Sequence, residues 1–346
     1  MSEPSADPLP AADSGHDADE LRHLYTEMLR IRRFEEAAAR AYTQGKISGF
    51  LHLYIGQEAI AVATADLMKP GDRVVTTYRD HGFAVALGCD TGACMAELYG
   101  KKTGLVGGNG GSMHFFAKDK GLWGGYAIVG GHVPVAAGHA FASKYKGDGA
   151  VTLCFLGEGA MHIGATHEGM HLAGLWRLPI VFVIENNQYA MGTPLSRQTA
   201  VDDLTVRAPG YRLTSDRWVV RDVFETRERL ARAVDQARER SQPALIELLT
   251  YRFRGHSMSD PGKYRTKDEV EHWKERDPLF RAETSLREDH GMSDEDIEAL
   301  DEEVWEEMDA AVEFAEESPV PDPEHRFLGH YVEDDIAAGA AEQGKG

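Results

Sequence analysis

The chain has 346 residues, 57 of them Asp or Glu and 37 Lys or Arg, for a formal charge of −20 at pH 7. With 42% hydrophobic residues it has material for a core rather than the composition of a disordered chain. No apolar run approaches the ~18 residues that would span a bilayer, and the acidity works against sequence-independent nucleic-acid binding, which needs Lys and Arg to displace counterions from phosphates.

Length alone is compatible with two domains or with one large α/β domain. Residues 1–20 are polar, acidic and Pro-rich, and read as a mobile tail. Residues 2–20 carry no Lys or Arg and no apolar stretch follows, so neither a signal peptide nor a transit peptide is expected. From Leu21 a helical stripe begins: Leu21, Leu24, Tyr25, Met28, Leu29 and Ile31, with Arg30, Arg32 and Arg33 clustered at its end. Cys89, Cys94 and Cys154 make no C-x-x-C pair and cannot all be bridged, which fits reduced thiols in a cytosolic protein.

The middle, about residues 45–195, holds most of the glycine clusters. Within it Val151–Leu156, between Gly149 and Gly157, has the length and composition of a buried parallel strand. Ile180–Ile184, opened by Pro179, is a second one, and a helix-length segment over 160–176 lies between them. Strand, crossover helix, strand predicts a doubly wound α/β domain with a mainly parallel sheet and helices on both faces. A charged helix over Arg221–Arg240 and a strand over Ala244–Leu249 follow. Between Asp294 and Glu317 thirteen residues are acidic and none is Lys or Arg, yet Ile297, Leu300, Val304, Met308, Val312 and Ala315 keep a helical apolar stripe. A solvated helix face packed on the domain explains this; a docking face for a basic partner and adaptation to high salt are the other readings. The organisation is therefore one domain over 21–330, between the tail 1–20 and a C-terminal tail 331–346.

His167-Glu168-Gly169-Met170-His171 fits H-E-x-x-H, in which two His on one helix face bind zinc. The longer form of that pattern wants a third His where this chain has Arg177, and the helix lies between two buried strands. We read these as ordinary His on a packed helix. The chemistry sits elsewhere in the same unit. One strand ends in Gly157-Glu158-Gly159 and the next in Glu185-Asn186-Asn187. Parallel strands bring both ends to the carboxyl edge, where ligands bind. Glycines allow close backbone approach to a phosphate, and an acid with an amide oxygen suits Mg²⁺. A Mg²⁺-assisted diphosphate site is the expectation from these residues alone.

This segment resembles the signature of thiamine diphosphate enzymes, Gly-Asp-Gly followed by Asn-Asn. The resemblance is wider. GFLHLYIGQEA (49–59), TTYRDHGF (76–83), GGNGGSMHFF (107–116), IVGGHVP (128–134), GLWRLPIVFVIENNQYAMGT (174–193) and YRFRGHSMSDPGKYR (251–265) resemble, in order, the alpha subunits of the decarboxylating component of pyruvate dehydrogenases. Acetoin-cleaving homologues share nearly the same pattern.

The resemblance implies roles by position. Glu158, the Asn187 amide and the Tyr189 main-chain carbonyl would complete a Mg²⁺ shell, with Gly159 and Ala160 placing backbone against the diphosphate. Tyr78, Arg79, His52 and His256 would donate to it; His52 and His256 would be the catalytic pair, with His256 beside the thiazolium. Ala127 and Val129 would hold the aminopyrimidine by their backbone, with Ala117 near. It further implies pyruvate decarboxylation with acetyl transfer to the lipoyl arm of a dihydrolipoyl acyltransferase, linking glycolysis to acetyl-CoA synthesis. A separate beta subunit would supply the Glu that protonates the cofactor, in an α₂β₂ heterotetramer of the bacterial or archaeal cytoplasm. Loop 254–265 matches one whose Ser257 a mitochondrial-type kinase would phosphorylate; that regulation is not expected here.

Four departures stand in the pocket. Glu158 replaces the family's Asp, His132 its usual Gln, Tyr126-Ala127 a more usual Asn-Gly, and 161–163 are Met-His-Ile. They keep two alternatives open: an acetoin-cleaving subunit and a non-catalytic homologue with a drifted metal site.

Overall fold

The computed structural model describes residues 16–324; the C-terminal tail expected at 331–346 and residues 1–15 lie outside the described residues. The first helix, α1 (Ala18–Thr43), starts three residues before Leu21, because the Asp17 side chain caps it by accepting from the Asp19 N–H at 3.2 Å. So Ala18–Glu20, expected in the tail, form its first turn, and the whole predicted apolar stripe is buried.

Three short helices, α2 (Glu58–Leu67), α3 (His81–Ala86) and α4 (Thr91–Leu98), follow around the first strand, β1 (Arg73–Thr77). Then come β2 (Leu122–Tyr126), α5 (His132–Lys146), β3 (Thr152–Gly157), α6 (Gly164–Trp176) and β4 (Ile180–Asn186). A small hairpin, β5 (Tyr189–Ala190) and β6 (Thr193–Pro194), leads through α7 (Leu195–Gln198) to β7 (Thr214–Val219), α8 (Val223–Arg240) and β8 (Ala244–Leu249). The chain closes with α9 (Lys267–Lys274), α10 (Pro278–Glu288) and α11 (Asp294–Glu317). Among the described residues no helix is long and apolar enough to cross a membrane.

Six strands form one sheet in the order β2-β1-β3-β4-β8-β7, every pair parallel. Successive residues of β3 point to opposite faces: Leu153 and Phe155 enter a core shared with α1–α4, while Cys154 and Leu156 enter one shared with α5 and α6. Both faces are covered, so the strands read as unbroken apolar runs and the fold is doubly wound, as expected. The expected βαβ unit is β3-α6-β4, but α6 starts at Gly164 rather than at 160. Glu158–His162 instead form a 3₁₀ turn, a feature that apolar periodicity does not encode.

The acidic stretch is α11, opened by a capping box between Ser293 and Asp296. Its stripe packs on α1 and α4, and its other face is partly neutralised from α1. Arg30 reaches Glu307 at 2.8 Å, Arg33 reaches Asp301 at 2.6 Å, and Arg40 lies over Trp305. The packed, solvated helix face is the reading the structure bears out.

One polar network lies inside the first core. Glu35 of α1 pairs with His81 of α3 at 3.0 Å, both with no exposure. The same carboxylate accepts from the Tyr54 N–H at 2.7 Å, and the far ring nitrogen of His81 meets the Ser112 hydroxyl at 3.0 Å. That hydroxyl in turn accepts from the His52 N–H at 3.1 Å. Burial alone would disfavour the charged imidazole; the Glu35 charge and hydrogen bond outweigh it, and His81 is held above its ordinary value. Breaking one side of a buried pair leaves an uncompensated charge, so Glu35→Gln should lower unfolding free energy by roughly 3 kcal/mol or more. Removing the exposed Glu228–Arg232 pair by Glu228→Ala should cost under ~0.5 kcal/mol. Urea unfolding of the two variants beside the parent checks both.

Candidate active site

Parallel strands end on one edge, and here the crossovers from β1 and β3 leave in opposite directions, opening a crevice between them. Five strands feed it. Thr77 ends β1 and leads to Tyr78 and Arg79, Tyr126 ends β2, Gly157 ends β3 and leads to Glu158, Gly159 and Ala160, Glu185 lies in β4 with Asn187 just after it, and Arg252 follows β8. The cavity they enclose measures about 310 Å³. A second, of about 600 Å³, adjoins it through Tyr78, Val129 and Met191 and opens past Phe50, His52, Ala127 and His256.

The floor carries the oxygen donors. Glu158 is 1% exposed and its carboxylate accepts from the Gln198 amide at 3.3 Å. Burial pushes this carboxyl above its ordinary value, while its own N–H, the Gln198 amide and the Arg252 charge pull the other way. After β4 the backbone turns sharply, with Gln188 at φ 76° and Met191 at φ 52°, the left-handed region that non-glycine residues seldom adopt. The curl turns the Asn187 amide oxygen and the Tyr189 carbonyl toward one spot. Arg252 marks it: one guanidinium nitrogen lies 3.4 Å from Asn187 Oδ1 and 3.2 Å from the Tyr189 oxygen. A cation already sits between these two oxygens, and Glu158 faces the same cavity, so the donor set fits a hard divalent ion. Gly159 is required by packing, since a Cβ there would fall 2.7 Å from the Ala190 Cβ. Among the described residues no three His, Cys, Asp or Glu converge as metal ligands, so a metal here would rely on amide and carbonyl oxygens beside one carboxylate.

Two buried guanidiniums make the cavity electropositive. Arg79, 3% exposed, donates to the Leu53 carbonyl at 2.6 Å and the His256 carbonyl at 2.9 Å. Burial, then the neighbouring Arg252, brings it down to about 10. Arg252 donates to the Met191 carbonyl at 2.9 Å and the Tyr264 hydroxyl at 2.7 Å. Both forks are tied to neutral oxygens, leaving their charge for an anion such as a diphosphate. Glu185, also in the wall, is pushed up to about 7 by burial, against the Tyr54 hydroxyl, the Arg79 charge and the Gln57 amide.

At the mouth the His52 ring lies 4.6 Å from Tyr78 and 5.0 Å from His256, centroid to centroid. Burial and the Arg79 charge press His52 down to about 2 and His256 to about 4, so both imidazoles are neutral near pH 7. Each has a buried Nδ1 without a partner in the protein. The His256 loop is fastened by Asp260, which accepts from the His256 N–H at 2.6 Å, the Gly262 N–H at 2.9 Å and the Tyr264 hydroxyl at 2.7 Å. Ser257 is buried in that loop, its hydroxyl 3.0 Å from that of Ser259.

The structure brings together eleven of the twelve residues expected from the sequence. Tyr78, Arg79, Val129, Glu158, Gly159, Ala160, Asn187 and Tyr189 line the first cavity; His52, Ala127 and His256 line the second. Ala117, expected near the ring, is among neither set of lining residues; its N–H and carbonyl both pair with Leu122 at 3.0 Å, fastening the glycine-rich segment to β2. Sequence reasoning passed over Gln57, Arg252 and Gln198 as site residues, although the first two stand inside strings already singled out. Their signal is polarity at a buried strand end or helix start, which is visible only once burial is known. Two of the departures prove to be partners: His132 is buried, donates Nε2–H to the Phe155 carbonyl at 2.8 Å and stacks on Tyr126. The H-E-x-x-H segment carries no metal geometry: His167 pairs with the Tyr211 hydroxyl at 2.6 Å, and Glu168 and His171 are exposed.

The depressed imidazoles have a stability consequence. The folded state keeps His52 and His256 neutral, whereas unfolded His takes up a proton near pH ~6.5. Their contribution to folding is therefore lost as pH falls below that value. Relative to the parent, His52→Asn and His256→Asn should each flatten the fall in urea midpoint between pH 7.5 and 5. Arg79, Arg252, Tyr78 and Asp260 face the two rings and are common to all three proteins, so the difference between curves isolates the imidazoles.

Residues 26–324 match a family model described as the dehydrogenase E1 component. The pyruvate dehydrogenase E1 component subunit alpha of Rhizobium meliloti is 43% identical over 310 residues, covering 88% of this chain and 87% of that protein. Proteins of the same name from Rickettsia prowazekii and Zymomonas mobilis are each 42% identical, over 308 and 318 residues. The alignments cover 89% and 91% of this chain, and 94% and 90% of those proteins. With the sheet order, the cavity and these matches in agreement, the chain belongs to the dehydrogenase E1 component family.

Proposed function

We propose that this chain is the alpha subunit of a thiamine-diphosphate-dependent pyruvate dehydrogenase, acting with Mg²⁺ in an α₂β₂ assembly with a beta subunit. The observation that carries the reading is the strand-edge cavity, where the Asn187 and Tyr189 oxygens converge on a position that a guanidinium nitrogen of Arg252 takes here, with Glu158 and Arg79 on the same cavity. The relatives, all named for pyruvate, favour it over acetoin cleavage. Their bacterial sources support a cytoplasmic enzyme.

When bound, thiamine diphosphate supplies a nucleophilic ring carbon and the electron sink for loss of CO₂. The chain's residues hold and orient. Glu158, Asn187 Oδ1 and the Tyr189 carbonyl would grip Mg²⁺, and backbone at Gly159 and Ala160 would meet the diphosphate beside Arg79 and Tyr78. The backbone of Ala127 and Val129 would steady the aminopyrimidine. His52 and His256, neutral at the mouth, would hand a proton to or from the substrate oxygen, as general acid–base groups must lie within hydrogen-bond reach of it. The beta subunit would contribute the Glu that protonates the cofactor, and the acetyl group would leave on the lipoyl arm of a dihydrolipoyl acyltransferase.

The test is titration calorimetry of thiamine diphosphate with Mg²⁺ into the protein co-purified with its beta subunit, beside Glu158→Asp and Asn187→Ala. Saturable binding in the parent and in Glu158→Asp, weakened roughly tenfold or more in Asn187→Ala, is the expected result. No binding until Asp is restored at 158 would mean the metal site has drifted, and the enzyme reading would fall. Pyruvate decarboxylation should require both subunits; turnover by the alpha chain alone would refute the shared site.

A further inference from the structure

An Asn side chain can present either its oxygen or its NH₂ to a cavity, and its hydrogen-bond partners decide which. Asn187 donates Nδ2–H to Gln57 Oε1 at 3.0 Å. Gln57 has the same ambiguity, and it is resolved one residue further back: its Nε2–H donates to Glu185 Oε1 at 3.2 Å. That carboxylate oxygen also accepts from the Tyr54 hydroxyl at 2.5 Å. An oxygen that already accepts from the Tyr54 hydroxyl offers Gln57 an acceptor as well, so it sets the polarity of the whole chain. Gln57 must turn its NH₂ toward Glu185 and its oxygen toward Asn187, and Asn187 must then turn its NH₂ toward Gln57 and its oxygen into the cavity. Reversed, the relay would point an NH₂ at the cation position that Arg252 marks. Tyr54, Gln57, Glu185 and Asn187 are all buried, so the relay is made by protein groups alone.

We infer that Gln57 and Glu185 are positioning residues that lock the Asn187 amide with its oxygen toward the metal. The inference rests on the Mg²⁺ reading above and adds two residues that act on the metal through Asn187. They come from distant parts of the chain, Gln57 from the start of α2 and Glu185 from the end of β4, so the lock also ties the first helical layer to the site.

The experiment counts bound Mn²⁺ by electron paramagnetic resonance in the co-purified alpha–beta enzyme with one equivalent of thiamine diphosphate. It is run at pH 8. Gln57→Met, which keeps the volume and removes both hydrogen bonds, should raise the Mn²⁺ dissociation constant roughly tenfold or more, as loss of an outer partner of a metal ligand does. The exchange Gln57→Glu with Glu185→Gln puts the acceptor next to Asn187 again and should return affinity to within about threefold of the parent. Thermal melting without metal checks that each variant is folded. If Gln57→Met does not fold, Gln57→Glu alone, which sets two carboxylates face to face, is compared with the double exchange. Parent-like affinity in folded Gln57→Met, or no recovery in the double exchange over Gln57→Glu, overturns the relay. In that case Asn187→Ala still loses the metal and the Mg²⁺ reading stands. A parent enzyme that takes up no Mn²⁺ with the cofactor overturns both.

Discussion

Everything at the site depends on the parallel register of the sheet. Gly157 stands opposite Glu185 and Asn186 opposite Leu249, so β3, β4 and β8 stop at one level. Thr77 beside Tyr126 does the same for β1 and β2. A parallel ladder lets every strand end release its chain on the same side. Ten or more residues of crossover then return it, and the oppositely directed crossovers keep the space between β1 and β3 open. The polar groups that line it come from segments far apart in the chain.

That space is costly to keep. Burying Glu158, Glu185, Arg79 and Arg252 forfeits hydration that only partners can replace. The structure replaces it with main-chain carbonyls, amides and hydroxyls more than with opposite charges. Arg79 leans on Leu53 and His256, Arg252 on Met191 and Tyr264. A guanidinium satisfied this way keeps its geometry without surrendering its charge to a carboxylate. The two apolar cores on either side of the sheet supply the stability against which this polar edge is held.

The replacements at the pocket make sense as contacts rather than as isolated changes. Tyr126 and His132 stack on each other, and His132 is anchored to the carbonyl of Phe155 in β3, so they occupy one wall together. Glu158 reaches the cavity from the 3₁₀ turn and meets Gln198 there. Residues far apart in sequence thus adjust to one another around the same volume.

Local pattern determined much by itself. The runs that became β3 and β4 were legible because a strand buried on both faces must be apolar throughout. The acidic helix α11 was legible because its apolar stripe is local. The oxygen donors Glu158 and Asn187 could be read from strand ends, and a resemblance of ordered motifs supplied their roles. Only the tertiary structure could decide the rest. The start of α1 turned on a single capping bond, and the 3₁₀ turn has no apolar period. Gln57 and Arg252 became site residues because β4 and β8 are neighbours in the sheet and α2 begins beneath them. Strand order and burial arise from contacts between distant segments, and no window of sequence contains them.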